Sequence, residues 1–398
     1  MASALPRSDG PLRFAILLSP VGVYGRERLL LGVARRLLEL GHTVDILLPA
    51  PREVLGDGLP EGARFVCLDR WWMRVPGRRR RSKHRTYLST PLVAGYLRKT
   101  RPDALLSGSI PPNLAALLAR RMAGSATRVV LRQSNVIRIA GDARYGQVQR
   151  QLRDPVVRTL YRGADRVIAV SHGVADNVVA ATGLPAARVC TVQAGVAEAV
   201  PTLARETPDH PWLAPGEPPV VLNVGRLVAQ KDHATLLRAF ARVRERREVR
   251  LIVLGPDGPA RAELDALIAE LGLSDCVDLA GFNANPYAFM ARAGVFVLSS
   301  TFEGMPNALL EALACGCPVV STDCPSGPRE ILDDGAYGRL VPMRDPAALA
   351  EAIEATLDER SDREALRARA AAFGVDRAVA GYVEALLEAA GAGRRPRD

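Results

Sequence analysis

Apolar and polar positions along this chain follow one repeating pattern, run through twice. A short, nearly continuous apolar run is followed by a longer stretch whose apolar residues recur every three or four positions. Arg13–Ser19 is the first such run and reads as a buried strand. Arg26–Leu40 carries Leu29, Leu30, Val33, Leu37 and Leu40 on one face and reads as a helix. Gly41 and His42 make the turn into a strand at Thr43–Leu48. Further strands are predicted at Arg64–Leu68, Asp103–Ser107, Arg128–Leu131, Asp165–Val170 and Val189–Val192. Helices are predicted near Tyr87–Lys99, Leu114–Met122, Val148–Arg162 and Val174–Ala181. Ala197–Pro219 is rich in Pro, Ala and Glu, has no period, and reads as a connection. The alternation then resumes. Strands are predicted at Val220–Val224, Val249–Leu254, Val277–Ala280, Val295–Leu298, Pro318–Thr322 and Gly338–Val341. The helices of this half are His233–Glu245, Ala260–Leu271, Asn285–Ala291, Asn307–Ala314, Pro346–Asp358 and Arg363–Phe373. One more amphipathic helix, Arg377–Ala389, is left over before a polar tail.

Strands alternating with helices imply parallel pairing through right-handed crossovers. The expected fold class is therefore α/β, with two Rossmann-like doubly wound domains. Residues 1–196 form the first, 197–219 a linker, 220–375 the second, and 376–398 a final helix and tail. A length of 398 residues agrees with two cores. No apolar run approaches the roughly 20 residues of a membrane span. The six-residue apolar patch of Leu12 and Phe14–Leu18 is short for a secretion signal, so a cytoplasmic protein is expected. The six cysteines, at 67, 190, 276, 315, 317 and 324, lie in apolar contexts and read as structural thiols. The five histidines show no metal or triad spacing, and His42 reads as a turn residue.

The densest chemistry lies in Ser299–Ile331. Glu303 sits in a loop beside Gly304, and Pro306 suits the first turn of the helix that follows. Glu311 falls one turn inside that helix. Such a helix start points backbone N–H groups outward and favours an anion, most simply a phosphate. The two carboxylates would then meet neutral hydroxyls, as on a ribose or a hexose. Arg226 and Lys231 follow Gly225 at a predicted strand end and can converge on one anion, a fork and a mobile point charge.

The ordered block from Glu303 to Glu311 resembles the E-x7-E region of retaining family 4 glycosyltransferases, which have the GT-B fold of two Rossmann-like domains facing across a cleft. The Gly225-Arg226-Leu227 and Lys231 run resembles the same family. The resemblance implies that Glu303 contacts the donor sugar, Glu311 the ribose, and the backbone of Gly304, Met305, Pro306 and Asn307 the sugar and diphosphate. It implies that Arg226 and Lys231 hold the diphosphate and stabilise it as it leaves. Gly281 and Phe282 fall where the base rests. The family's Gly-Gly pair after the first strand falls on Tyr24 and Gly25, of which only Gly25 is kept; beside a helix start it lets backbone approach a phosphate of the donor. A family histidine would align near Ser134 and is absent. That departure fits a front-face reaction in which the leaving phosphate takes the acceptor's proton. Arg132, Asn135 and Tyr24 are acceptor-side candidates. The last helix is expected to cross back to the first domain, and no metal or other cofactor is expected. Asp323–Glu330 resembles a subset of bacterial members that build surface and capsular polysaccharides.

Charge adds one more feature. The net charge is +10, and Arg64–Arg101 alone holds twelve Lys and Arg against one acid, Asp69. Within it, Trp71 and Trp72 sit among Arg70, Arg74, Arg78–Arg81 and Arg85. Indole rings beside dense positive charge suit an anionic membrane surface; an anionic soluble acceptor and a plainly solvated loop are the alternatives. Nucleic acid is not expected, because no binding motif accompanies the patch. The expected function is transfer of a hexose or N-acetylhexosamine from a nucleoside-diphosphate sugar to a saccharide or lipid-linked hydroxyl, by a cytoplasmic enzyme that also docks on the inner leaflet. Transfer to a small soluble metabolite, and a non-enzymatic membrane- or nucleic-acid-binding scaffold, are the alternatives.

Overall fold

A computed structural model describes residues 10–19, 25–73, 82–137 and 155–391. Two compact units divide the chain: 1–193 with 376–398, and 194–375.

The first unit is built on seven strands. They are β1 (Arg13–Leu17), β2 (Thr43–Leu48), β3 (Arg64–Cys67), β4 (Ala104–Gly108), β5 (Arg128–Gln133), β6 (Arg166–Ala169) and β7 (Val189–Thr191). Their order is β3-β2-β1-β4-β5-β6-β7, with every neighbouring pair parallel. Ile16 pairs with Ile46 on one side and Leu106 on the other, and all three are fully buried. Near-continuous apolar strands are what a sheet covered on both faces requires. The chain reverses direction of winding between β1 and β4, and ligands of doubly wound sheets bind beyond the carboxyl ends at such a point.

The covering helices are α1 (Gly25–Glu39), α2 (Ser82–Leu88), α3 (Thr90–Thr100), α4 (Ile110–Ala123), α5 (residues 155–161) and α6 (His172–Thr182). The single helix expected near Tyr87–Lys99 is two, α2 and α3, broken at Ser89. Pro91 in the first turn of α3 explains the break, since it lacks an N–H and its ring would clash with the preceding turn of a continuous helix. The helix α4 starts earlier than expected because Pro111 and Pro112 sit in its first turn, where no N–H is needed. His42 is buried in its turn, its Nδ1 accepting the Leu12 N–H at 3.2 Å.

In the second unit six strands form a parallel sheet: β8 (Val220–Val224), β9 (Arg250–Leu254), β10 (Val277–Gly281), β11 (Val295–Leu298), β12 (Val319–Thr322) and β13 (Arg339–Val341). Their order is β10-β9-β8-β11-β12-β13, the 3-2-1-4-5-6 order of dinucleotide-binding sheets, so the reversal lies between β8 and β11. The helices are α7 (Val200–Leu203), α8 (His233–Arg244), α9 (Arg261–Glu270), α10 (Pro286–Arg292), α11 (Asn307–Ala314), α12 (Pro328–Leu332), α13 (Pro346–Asp358) and α14 (Arg363–Ala371). Phe240, Val243, Leu251, Leu267 and Ile353 join one core on one face of this sheet.

The segment expected as a linker, 197–219, belongs to the second unit and has structure of its own. It contains α7, and Asn285 and Arg292 hold the carbonyls of Leu203 and Glu206. Its His210 pairs with Asp278 at 3.1 Å. The last helix, α15 (Val375–Gly391), is assigned to the first unit from Asp376 onward. Its Tyr382 and Leu386 are fully buried, Gly381 lies against Val192, and Glu388 pairs with Arg166. Among the described residues, no helix is long and apolar enough to cross a membrane.

Candidate functional site

Beyond the carboxyl ends of β8 and β11 two loops are stitched together at the point where the sheet's winding reverses. Thr301 donates its N–H to the Gln230 carbonyl at 2.9 Å, and Ser299 Oγ donates to the Lys231 carbonyl at 2.7 Å. Asn223, at the end of β8, donates from Nδ2 to the Val297 carbonyl on β11 at 2.8 Å. These bonds place Lys231 and Glu303 face to face: Lys231 Nζ donates to Glu303 Oε1 at 2.7 Å. Ser300 Oγ reaches the same oxygen at 2.7 Å, and Gln230 Nε2 lies 3.4 Å from Oε2. Both charges are nearly out of water, with side chains 17% and 9% exposed. A pair desolvated to this degree adds little net stability compared with apolar residues of the same volume, and it lies at the sheet's reversal point, where ligands of doubly wound sheets bind.

Glycines make the room. A Cβ at Gly225 would stand 3.1 Å from Lys231 Cε, so the glycine lets the lysine stem pass over it. A Cβ at Gly255 would come within 2.1 Å of the Gly225 carbonyl oxygen, and one at Gly258 within 2.1 Å of that of Leu227. The backbones after β8 and β9 are therefore packed against each other without side chains between them.

Arg226 follows Gly225 and is exposed, and its side chain has no hydrogen bond or ion pair among the described residues. It differs in this from Lys231, and its fork is available to a ligand. After Glu303, Gly304, Met305 and Pro306 are buried. Pro306 caps α11 without a side-chain bond rather than standing inside its first turn. The N–H groups of Met305, Asn307 and Ala308 meet no acceptor among the described residues, as the start of a helix leaves them. Glu311 is half-buried one turn on, and the Tyr287 hydroxyl lies 3.5 Å from its Oε1. Gly281 ends β10 with φ +76°, and Phe282 beside it is 72% exposed.

Sequence reasoning missed what holds this constellation. Ser300 and Gln230 bind Glu303. His233 Nε2 donates to Asn223 Oδ1 at 3.1 Å, since the amide's NH2 is already spent on Val297. A lone Asn in the apolar run Val220–Val224 was the available signal. Burial, and then the nearby Lys231 charge, push the His233 pKa down to about 4, so the ring is neutral at neutral pH.

The remaining candidates lie in the first unit. Gly25 opens α1. Arg132 is buried near the end of β5, and its Nε donates to the Tyr382 hydroxyl on α15 at 2.8 Å. Asn135 is half-buried, and its side chain accepts the Val136 N–H at 2.8 Å. Beside Arg132, a buried network links Ser107, Asn113, Tyr161 and Gln133. Tyr24 lies outside the described residues, as do Arg74 and Arg78–Arg81. Of the basic segment, Trp71 is 82% exposed and Arg85 pairs with the buried Asp69.

Cys276, Cys315, Cys317 and Cys324 are buried, and burial pushes the last three thiols up to about 12. Cys67 is exposed, a departure from the structural reading of all six. Among the described residues no three His, Cys, Asp or Glu side chains gather as metal ligands would.

Known proteins resemble the chain along most of its length. Residues 205–373 match the family described as glycosyl transferases group 1, and 25–195 match a glycosyl transferase 4-like domain. A relative from Campylobacter jejuni, N-acetylgalactosamine-N,N'-diacetylbacillosaminyl-diphospho-undecaprenol 4-alpha-N-acetylgalactosaminyltransferase, is 41% identical over 150 residues, 38% of this chain and 40% of that protein. The lipopolysaccharide core biosynthesis glycosyltransferase LpsE of Rhizobium meliloti is 34% identical over 215 residues, 54% of this chain and 60% of that protein. The matches thus span 40% and 60% of these relatives' own lengths, less than two thirds of either. Among solved structures, Anabaena HepE in complex with UDP and glucose superimposes with a TM-score of 0.73 at 19% identity, covering 95% of this chain and 100% of that one. Sucrose-phosphate synthase from Thermosynechococcus elongatus gives 0.76 at 20% identity, covering 96% and 100%. At such identities the likeness establishes the fold, two Rossmann-like domains of the GT-B type.

Proposed function

Because the chain belongs to the group 1 glycosyl transferases, we propose that it moves a hexose or N-acetylhexosamine from a nucleoside-diphosphate sugar to a saccharide or lipid-linked hydroxyl, with retention at the anomeric carbon. The observation that carries this reading is the Lys231–Glu303 pair, desolvated and seated where the winding of the second sheet reverses.

In this reading Arg226 and Lys231 take the donor diphosphate, and the outward N–H groups from Met305 to Ala308 share it. Glu303, fixed by Ser300 and Gln230, accepts hydrogen bonds from the sugar hydroxyls. Glu311 does the same for the ribose, and Gly281-Phe282 supports the base. As the bond from the anomeric carbon to the β-phosphate oxygen breaks, negative charge grows on the leaving diphosphate. Arg226 and Lys231 are already in place to stabilise it. The acceptor oxygen bonds the anomeric carbon on the face the phosphate leaves, and the acceptor proton passes to the departing phosphate oxygen. The two basic side chains supply the positive charge, and the transfer is metal-independent. Gly25, at the start of α1, lets backbone approach the donor phosphate, and Arg132, Asn135 and Tyr24 belong to the acceptor side.

The ribose assignment has a direct test. Glu311→Ala weakens nucleoside diphosphate binding about tenfold and erases the preference for ribo- over 2′-deoxyribonucleotide. An unchanged preference removes Glu311 from the site.

The lipid-linked acceptor brings a membrane into the reading. Trp71, exposed among Arg70–Arg85, docks the first unit on an anionic leaflet, each basic residue near the surface contributing about 1 kcal/mol. Neutralising Arg78–Arg81 then lowers binding to phosphatidylserine vesicles and leaves nucleotide binding intact. Equal vesicle binding by the variant makes the segment a solvated loop.

A further inference from the structure

The loop that follows β12 carries a feature with no part in the roles assigned so far. Ser326 and Gly327 have consecutive positive φ angles, +71° and +88°. Glycine at 327 is required twice over: a Cβ there would stand 2.7 Å from Pro306 Cδ and 2.9 Å from the Gly304 carbonyl oxygen. Ser326 is a different case. A left-handed backbone strains any residue with a Cβ, and glycine would relieve the strain. Three other non-glycine residues of positive φ have a local reason: Arg101 and Asp333 end helices, and Asp232 caps one. Ser326 instead sends its hydroxyl to the Gly304 carbonyl, 3.0 Å away. Retained strain beside a ligand-facing segment points from the outlier to a function.

The loop is itself held. Arg329 bridges Asp323 and Asp334, and the Asp323 N–H donates to the Val341 carbonyl at 2.7 Å. Thr322, at the end of β12, donates from Oγ1 to the Ser300 carbonyl at 2.6 Å. Cys324 lies near enough for the Glu303 charge to add to burial in raising its thiol pKa. The loop is therefore a fixed support beneath the backbone that runs from Glu303 into α11.

We propose that Ser326 is a positioning residue: its hydroxyl holds the Gly304 carbonyl so that the backbone from Gly304 to Asn307 presents its N–H groups to the donor sugar and diphosphate. This rests on the donor-site reading above. Peptide planes are rigid, so fixing the Gly304 carbonyl also fixes the direction of the Met305 N–H in the same plane.

The test compares Ser326→Gly with Ser326→Ala. Both remove the hydroxyl, but glycine also removes the strain, so a merely structural serine would be improved by it. Two readouts are taken. The first is donor-sugar turnover and nucleoside diphosphate affinity. The second is amide hydrogen exchange at Leu309 and Leu310 in the unliganded protein, whose N–H groups bond the Pro306 carbonyl at 3.1 and 3.3 Å. The expected result is about a tenfold loss of kcat in both variants with little change in nucleotide affinity, faster exchange at both amides, and an undiminished Tm for Ser326→Gly. Wild-type turnover and exchange in Ser326→Gly overturn the proposal while the donor site stands. If the wild-type protein itself binds no nucleoside diphosphate, the donor-site reading fails. The exchange arm then decides alone whether Ser326 holds this backbone.

Discussion

Lys231 and Glu303 are joined across 72 positions of chain by a 2.7 Å bond, and their neighbours fix both ends. Replacing Lys231 with alanine leaves a buried carboxylate with only Ser300 and Gln230, so the variant loses stability, by up to about 3 kcal/mol. Arg226, exposed and with no side-chain partner among the described residues, tolerates the same change with a shift of only about 0.5 kcal/mol. His233 carries a pH signature. Its pKa is about 4 in the folded protein against 6.5 ordinarily, because a buried imidazole resists protonation. Between those values the unfolded chain binds more protons than the native one, so stability rises with pH across that window and falls as pH drops through it. The total is about 3 kcal/mol. Stability of His233→Gln, measured by urea unfolding from pH 4 to 7, is expected to vary less with pH by that amount. An identical pH dependence in both proteins contradicts a buried neutral His233. The charged residues of this site were legible in the sequence because their types and spacing carry the chemistry. Ser300, Gln230 and Asn223 were not, since small polar residues acquire a role only from what folding brings beside them.

At the scale of elements, apolar runs and their period located nearly every strand and helix, because both faces of each sheet are covered and burial dictates the pattern. Misses occurred where local chemistry cut across it. The period ran through Ser89, but Pro91 splits the helix there. The segment 197–219 has no period, yet α7 and its hydrogen bonds pack it on the second unit. Nor does the pattern explain glycines at strand ends. Gly255 has φ +155°, and any Cβ would overlap the Gly225 carbonyl. Gly255→Ala is therefore expected to cost about 3 kcal/mol, by forcing apart the backbones after β8 and β9. It should weaken nucleoside diphosphate binding as well, since Arg226 and Lys231 ride on the displaced loop. A Tm and an affinity equal to wild type would mean that these backbones are not in contact.

Over the whole molecule, two parallel α/β units were readable from alternation alone, and the family from the Glu303–Glu311 block with Arg226 and Lys231. Each domain match falls within one of the two halves of the chain, and the two GT-B structures cover nearly all of it. What sequence left open is chemical identity. In the proposed site, Glu311 on a ribose, Arg226 and Lys231 on a diphosphate and an exposed Phe282 would accept several bases and sugars, and no residue type marks the choice. The most direct test of the central claim is a calorimetric titration of the wild-type protein, Arg226→Ala and Lys231→Ala with UDP, GDP and ADP, with and without chelator. Expected is saturable binding of one nucleoside diphosphate by the wild type, indifferent to chelator, and at least about tenfold weaker in each variant. Equal affinity in all three proteins, or no binding by the wild type, would contradict it.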